Sequence, residues 1–183
     1  FGNVYVTGCH AEDLQNKIEA SKANENEDKQ WTDIVSISVG GSGDRFRGKG
    51  HIVGLTKDGR VVAVGDNDFG QCNVDSWKDE HIIAISAGDY HTVALTEDGR
   101  VLTTQEKNCH FDGVDFSDSI DQIATWNDIV AVSAGYGYTL GLKSDGTVVS
   151  AGYKNEGQAD VWKWHIIPSI DSRNTGDERF ITH

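Results

Sequence analysis

The sequence predicts an all-β fold in which antiparallel strands form short meanders and the meanders repeat along the chain. Three observations predict it. One unit recurs: apolar strand, glycine, apolar strand, Asp-Gly, apolar strand. It runs Ile85-Ser86-Ala87-Gly88 through Thr92-Val93-Ala94-Leu95 to Asp98-Gly99-Arg100-Val101, and again from Val132 to Val148. A third copy starts at Ile37-Ser38-Val39-Gly40 and resumes after an insertion at His51-Ile52-Val53-Gly54-Leu55. Second, the strands are apolar on both faces, as in Val61-Val62-Ala63-Val64, so each sheet expects a cover on either side. Third, there are 21 glycines and one proline, a composition suited to many tight turns. Repetition at a fixed period decides the architecture before any single motif does.

The elements follow in order. Residues 1–8 align with the third strand of a repeat, Asp58 to Gly65, so the chain opens mid-repeat and reads as a piece of something longer. Residues 9–30 are a polar insertion in which Leu14 and Ile18, four apart among good helix formers, predict a short helix. Repeats then run over about 31–76, 77–125 and 126–161, each opened by a tryptophan: Trp31, Trp77 and Trp126. Each Asp-Gly predicts a tight hairpin, two residues or similar, since both residues tolerate positive φ. Gly59, Gly99 and Gly146 are the turn glycines. Residues 162–170 begin another repeat, and 171–183 form a polar tail, giving one repeat-built domain over 1–170. Meanders buried on both faces, with small residues at Gly54, Ala94 and Gly141, are the blades of a β-propeller.

The words of the repeat carry a resemblance. Apolar-Ser-Ala-Gly, then His-Thr-Val-Ala-Leu, then Asp-Gly-Arg-Val resembles the repeat of the regulator of chromosome condensation family. Gly65-Asp66-Asn67-Asp68-Phe69-Gly70-Gln71 is similar to a further piece of it. The resemblance covers most of 31–167 and implies a propeller, in that family usually seven-bladed. Tyr138 stands where the motif has histidine, 42–50 interrupts the first repeat, and the Gly-Gln loop is lost after the second. Three full repeats with a remnant at each end predict a partial ring, or a fragment of a seven-bladed propeller. The alternative is a four-bladed ring closed by pairing the chain ends. An open arc would leave strand edges and apolar faces uncovered, so self-association completing the propeller is expected of it.

Charge and motifs narrow the function. The formal net charge of -13 repels nucleic acid and anionic membrane surfaces. No apolar run reaches membrane-spanning length, and no signal-peptide pattern is present. Cys9, Cys72 and Cys109 lie far apart and make no disulfide framework or paired metal motif. Cys9-His10 and Cys109-His110 could supply zinc ligands, but neighbours on an extended chain point apart, so no metal is expected. His51 and His91 recur at one blade position, with Tyr138 in the third copy, which argues for a structural hydrogen bond rather than catalysis. No catalytic residue and no cofactor are called for. The segments that break the repeat are where partner contacts are expected. These are the basic-aromatic Arg45, Phe46, Arg47 and Lys49, and the acidic stretch 106–125 with Phe111 and Phe116. The reading is a non-enzymatic scaffold for a protein partner. The resemblance implies, as one alternative, guanine-nucleotide exchange on a small GTPase. A glycan-binding propeller using Tyr136, Tyr138 and Tyr153 and an enzyme-inhibitor propeller are further alternatives.

Overall fold

The computed structural model describes residues 4–5, 11–22, 31–41, 50–104, 110–111, 114–115, 117–152, 161 and 164. They build three three-stranded antiparallel sheets, so the chain is an all-β protein of propeller blades. Blade 1 is β1 (Ile34–Gly40), β2 (His51–Thr56) and β3 (Val61–Gly65). Blade 2 is β4 (Ile82–Ala87), β5 (Thr92–Thr96) and β6 (Val101–Thr103). A small hairpin of β7 (His110–Phe111) and β8 (Val114–Asp115) and helix α2 (Ser117–Ile123) follow it. Blade 3 is β9 (Ile129–Ala134), β10 (Tyr138–Lys143) and β11 (Val148–Gly152). Helix α1 (Ala11–Lys22) precedes blade 1 and falls on the predicted helix.

In each blade the strands pair in sequence order with the middle strand central. The register sends alternate residues of β2 to opposite sides. Val53 and Leu55, with Val61 of β3, face blade 2 and form a core with Trp77, Ile82, Ala87 and Ala94. Ile52 and Val62 face the other way, where Ile18 of α1 and Trp31 cover them. Val93, Leu95 and Val101 of blade 2 meet Trp126, Ile129 and Ala151 of blade 3. Two-sided burial is thus met by stacking sheet on sheet, with α1 standing in on the outward side of blade 1.

The Asp-Gly turns differ from a two-residue hairpin. The amide of Gly59 donates to Thr56 O at 3.1 Å, and the amide of Thr56 donates to Arg60 O at 2.9 Å, which leaves three residues in the loop. Gly59, Gly99 and Gly146 take φ of +86°, +80° and +87°. The preceding aspartates do not share that positive φ, and Asp33 and Asp128 are the described non-glycine residues that do. This is a type I turn closed by one left-handed glycine. The aspartate serves by its side chain. Asp98 Oδ1 accepts from Thr96 Oγ1 at 2.5 Å, and Oδ2 accepts from Arg100 Nε at 2.7 Å. Asp58 holds Thr56 and Arg60 in the same way.

Candidate functional site

The strand directions divide the molecule into two ends. Gly65 pairs with His51 and Gly152 with Tyr138, so the ends of β3 and β11 lie beside the starts of β2 and β10. One end of the blades therefore collects the links between first and second strands and the exits from the third strands. The Asp-Gly turns occupy the other end. The exit loop of blade 1 is locked from within. Asn67 Oδ1 accepts from the amide of Cys72 at 2.7 Å, Gln71 Oε1 accepts from the amide of Phe69 at 2.9 Å, and Gly70 sits at φ +77°. The Gly-Asp-Asn-Asp-Phe-Gly-Gln stretch is therefore loop architecture, with Gln71 buried. Burial also pushes the Cys72 thiol up to about 12, and the nearby Asp66 carboxylate adds to this.

Across this end runs a row of aromatic rings. Phe69 meets Tyr90 edge to face at 5.1 Å between centroids, and Tyr90 meets Tyr136 at 5.2 Å. The row joins the exit loop of blade 1 to the first links of blades 2 and 3. Tyr136 is its exposed member. Asp89, next to Tyr90, has its carboxyl raised by burial. Both repeat-breaking segments leave from the same end. Segment 42–49 lies between Gly41 and Gly50, and the Gly50 carbonyl accepts from the amide of Asp66 at 2.9 Å. The long link after blade 2 departs at Thr104, whose amide donates to Thr92 O at 3.0 Å.

Arg45, Phe46, Arg47, Lys49 and Phe116 lie outside the described residues, as do Cys9, His10, Cys109 and Tyr153. Phe111 is placed by its backbone in β7, opposite Val114. Trp31, Trp77 and Trp126 are buried at the start of each blade. A side chain on Gly54 would strike Trp31, and one on Gly141 would strike Trp126, so the small middle-strand residue makes room for the indole. Tyr138 lays its ring against Gly135.

His51 and His91 are buried between blades. His51 Nε2 lies 2.9 Å from Thr92 Oγ1, and His91 Nε2 lies 2.9 Å from Thr139 Oγ1, so each links one blade to the next. Thr92 Oγ1 donates to Gln71 O at 2.8 Å, so it accepts from His51, which therefore carries its proton on Nε2. The Nδ1 atoms of both rings are buried without a hydrogen-bond partner. A second proton would put a charge there with no acceptor. Burial accordingly lowers both imidazoles to about 4; the His51 ring lowers His91 further, while the Asp66 carboxylate partly offsets the effect at His51. These rings are neutral at physiological pH, and the threonine hydroxyl beside each is buried between blades, that of Thr92 already donated to the Gln71 carbonyl. Further staples accompany them. Ser38 Oγ accepts from the amide of Ala87 at 2.9 Å, and Ser86 Oγ accepts from Ala134 at 3.0 Å. The motif serines, the acceptor threonines and the aromatic row escaped the sequence reading; the recurrence of serine before each strand-end glycine was the available signal.

Among the described residues no group of three or more His, Cys, Asp or Glu side chains is placed to hold a metal ion. No helix among them is long and apolar enough to cross a membrane.

A stack of antiparallel blades stapled at matched positions defines a repeat-built propeller protein, and the comparisons agree. The sequence model of the Regulator of chromosome condensation (RCC1) repeat matches residues 48–71, 82–104 and 129–158. These three stretches carry repeats of the regulator of chromosome condensation type. A search of curated proteins gives no significant match. Among solved structures, human WBSCR16 is similar at 18% identity and TM-score 0.50, covering 73% of this chain and 38% of that one. The CRINKLY WD40 ectodomain of the Arabidopsis thaliana receptor kinase ACR4 is similar at 22% identity and TM-score 0.47, covering 66% and 37%. Saccharomyces cerevisiae Prp20p, whose structure was described with its binding to Gsp1p and histones, is similar at 21% identity and TM-score 0.45, covering 67% and 31%. The chain spans less than two fifths of the length of each.

Proposed function

We propose that this protein is a non-enzymatic propeller scaffold that binds a protein partner through the blade end carrying its inserted loops. One observation carries the reading. The points where both repeat-breaking segments leave the blades, Gly41 for the basic one near 42–50 and Thr104 for the acidic one near 106–125, stand at the same end as exposed Tyr136. The blades supply a rigid frame, and both departures from the frame set out from one side of it, where loops can meet one partner together. Arg45, Phe46, Arg47 and Lys49 would bring cations and an aromatic, the residue types enriched at interface hot spots. Phe111 and Phe116 would do the same from the acidic side.

The test is an affinity capture with the intact chain beside a variant in which both segments are trimmed to the length of a plain repeat link. The reading expects the intact chain to retain a defined partner and the trimmed chain to lose it while keeping the parent's β-sheet circular dichroism, although loss of Ile123 from the core lowers its melting temperature. Recovery of the same partners by both would sink it. A nucleotide-release assay on small GTPases separates this scaffold from an exchange factor, since a scaffold leaves the release rate where it was.

A further inference from the structure

The links between the first and second strands of blades 2 and 3 are one turn used twice. The amide of Gly88 donates to His91 O at 2.9 Å, and that of Gly135 donates to Tyr138 O at 2.9 Å. Asp89 and Tyr136 therefore hold equivalent positions, each following the glycine that opens its turn. The two turns touch. The amide of Asp89 donates to Gly135 O at 3.3 Å, and a side chain on Gly88 would stand 2.4 Å from the same carbonyl. Equivalent side chains on touching turns are neighbours, so a carboxylate and a tyrosine ring share one spot at this end of the blades.

Asp89 differs from the other aspartates of the blades. Asp58, Asp98 and Asp145 are each tied by a threonine hydroxyl, and the first two also by an arginine at 2.8 and 2.7 Å. Asp66 accepts from Gln71 Nε2 at 3.2 Å. Among the described residues no hydrogen bond or ion pair holds the carboxylate of Asp89, although the residue is half-buried. Burial alone raises its carboxyl. A desolvated charge without a partner costs the fold free energy. It is characteristic of a site whose partner comes from outside.

The surroundings set the charge of that partner. Asp66 and Asp68 stand in the loop that carries Phe69, at the other end of the aromatic row. Among the described cations, Lys57, Arg60, Arg100 and Lys143 lie at the opposite end with the Asp-Gly turns, and Lys17 of α1 pairs with Asp13 at 2.9 Å. The row also offers a ring. Tyr136 is 40% exposed where Tyr90 is 8%, and the edge-to-face contact between them at 5.2 Å fixes where the Tyr136 ring stands.

We propose that Asp89 and Tyr136 form a receptor for an arginine side chain of the protein partner. The pair selects arginine because a guanidinium stacks its plane on an aromatic face and donates from its edge to a carboxylate at the same time. The inference rests on the partner-binding reading above and gives that partner's chemistry: an arginine exposed on its surface, seated between the links of blades 2 and 3.

The test is an NMR titration of the isotope-labelled intact chain with a capped glycyl-arginyl-glycine peptide and with its citrulline counterpart, which keeps the shape and lacks the charge. The arginine peptide is expected to shift the amides of Asp89, Tyr90, Tyr136 and Gly137 to saturation, and the citrulline peptide to leave them in place. Asp89→Asn should weaken binding about tenfold. Tyr136→Leu should weaken it too, and Tyr136→Phe, which keeps the ring, should not. Asp89→Asn should melt no lower than the parent, since its carboxylate has no partner in the fold to lose. The proposal is overturned by the absence of a saturable shift up to about 20 mM arginine peptide, by equal binding of the citrulline peptide, or by unchanged affinity in Asp89→Asn. A lower melting temperature in Asp89→Asn also overturns it, by giving the carboxylate a part in the fold. None of these results decides the loop-trimming experiment, which depends on capture of the whole partner and can succeed where this site fails.

Discussion

Acid should loosen the stack through His51 and His91. Burial lowers both imidazoles in the fold to about 4, against 6.5 when solvated. The unfolded chain therefore binds more protons than the folded chain between pH 6.5 and 4, and stability falls as pH falls through that window. From pH 7 to 5 each imidazole removes about 2 kcal/mol, the pair about 4 kcal/mol. That is a large fraction of the roughly 5–15 kcal/mol that holds an ordinary domain together. Asp58, Asp98 and Asp145 are held below the usual carboxylate range, first of all by the hydroxyls of Thr56, Thr96 and Thr147, so their contribution is lost only at lower pH. Asp89, raised by burial, works in the opposite sense and takes a little off the slope. The assay is urea unfolding followed by tryptophan fluorescence at pH 7, 6 and 5, for the parent and for a His51→Gln, His91→Gln double variant. The parent midpoint should drop steeply while the double variant, less stable at pH 7, changes little. A parent that loses under about 0.5 kcal/mol between pH 7 and 5, or a double variant with the same slope, refutes the reasoning.

Four further outcomes are expected. Gly88→Ala forces a Cβ to 2.4 Å from the Gly135 carbonyl and should cost about 1–3 kcal/mol, seen as a lower midpoint in thermal unfolding. Trp77→Ala empties the core between blades 1 and 2 and should cost about 3–5 kcal/mol, whereas Trp164→Ala should change the melting of a dilute sample by well under 1 kcal/mol. Thr96→Val strips the hydroxyl that bonds Asp98 and receives the Arg100 amide at 3.0 Å, and should lower stability by about 1–2 kcal/mol in the same measurement. In a Cys9→Ser, Cys109→Ser background, Cys72 should resist iodoacetamide at pH 8 and react once urea unfolds the chain, because its thiol is held up to about 12.

The blades were legible because each property that makes one is local and repeated. Strand apolarity, the turn glycine and the opening tryptophan lie within a few residues of one another and occur again. The same logic identified α1 from Leu14 and Ile18. What was not legible depends on registry between blades. The bonds of His51 to Thr92 and Ser38 to Ala87 join residues 41 and 49 apart, and no local pattern announces the partner. The aromatic row escaped for the same reason, since Phe69 and Tyr136 come together through Tyr90 of a blade that lies between them. The turn aspartates were misjudged in mechanism though not in place, because a backbone torsion was assigned to residues that act through their carboxylates.

The strand-end glycines have a consequence for curvature. A side chain on Gly40 would sit 2.0 Å from the Gly88 carbonyl, and one on Gly88 would sit 2.4 Å from that of Gly135, so the blades nearly touch along their first strands. Farther out, over the middle strands, Trp77 and Trp126 are wedged beside them. Each junction is therefore thin at the hub and thick outward, like the keystones of an arch, and the difference in thickness is the angle by which one blade turns from the next. Replacing the indoles with smaller rings should flatten that angle before it unfolds the chain, which makes the pitch of the arch a property that two residue types set between them.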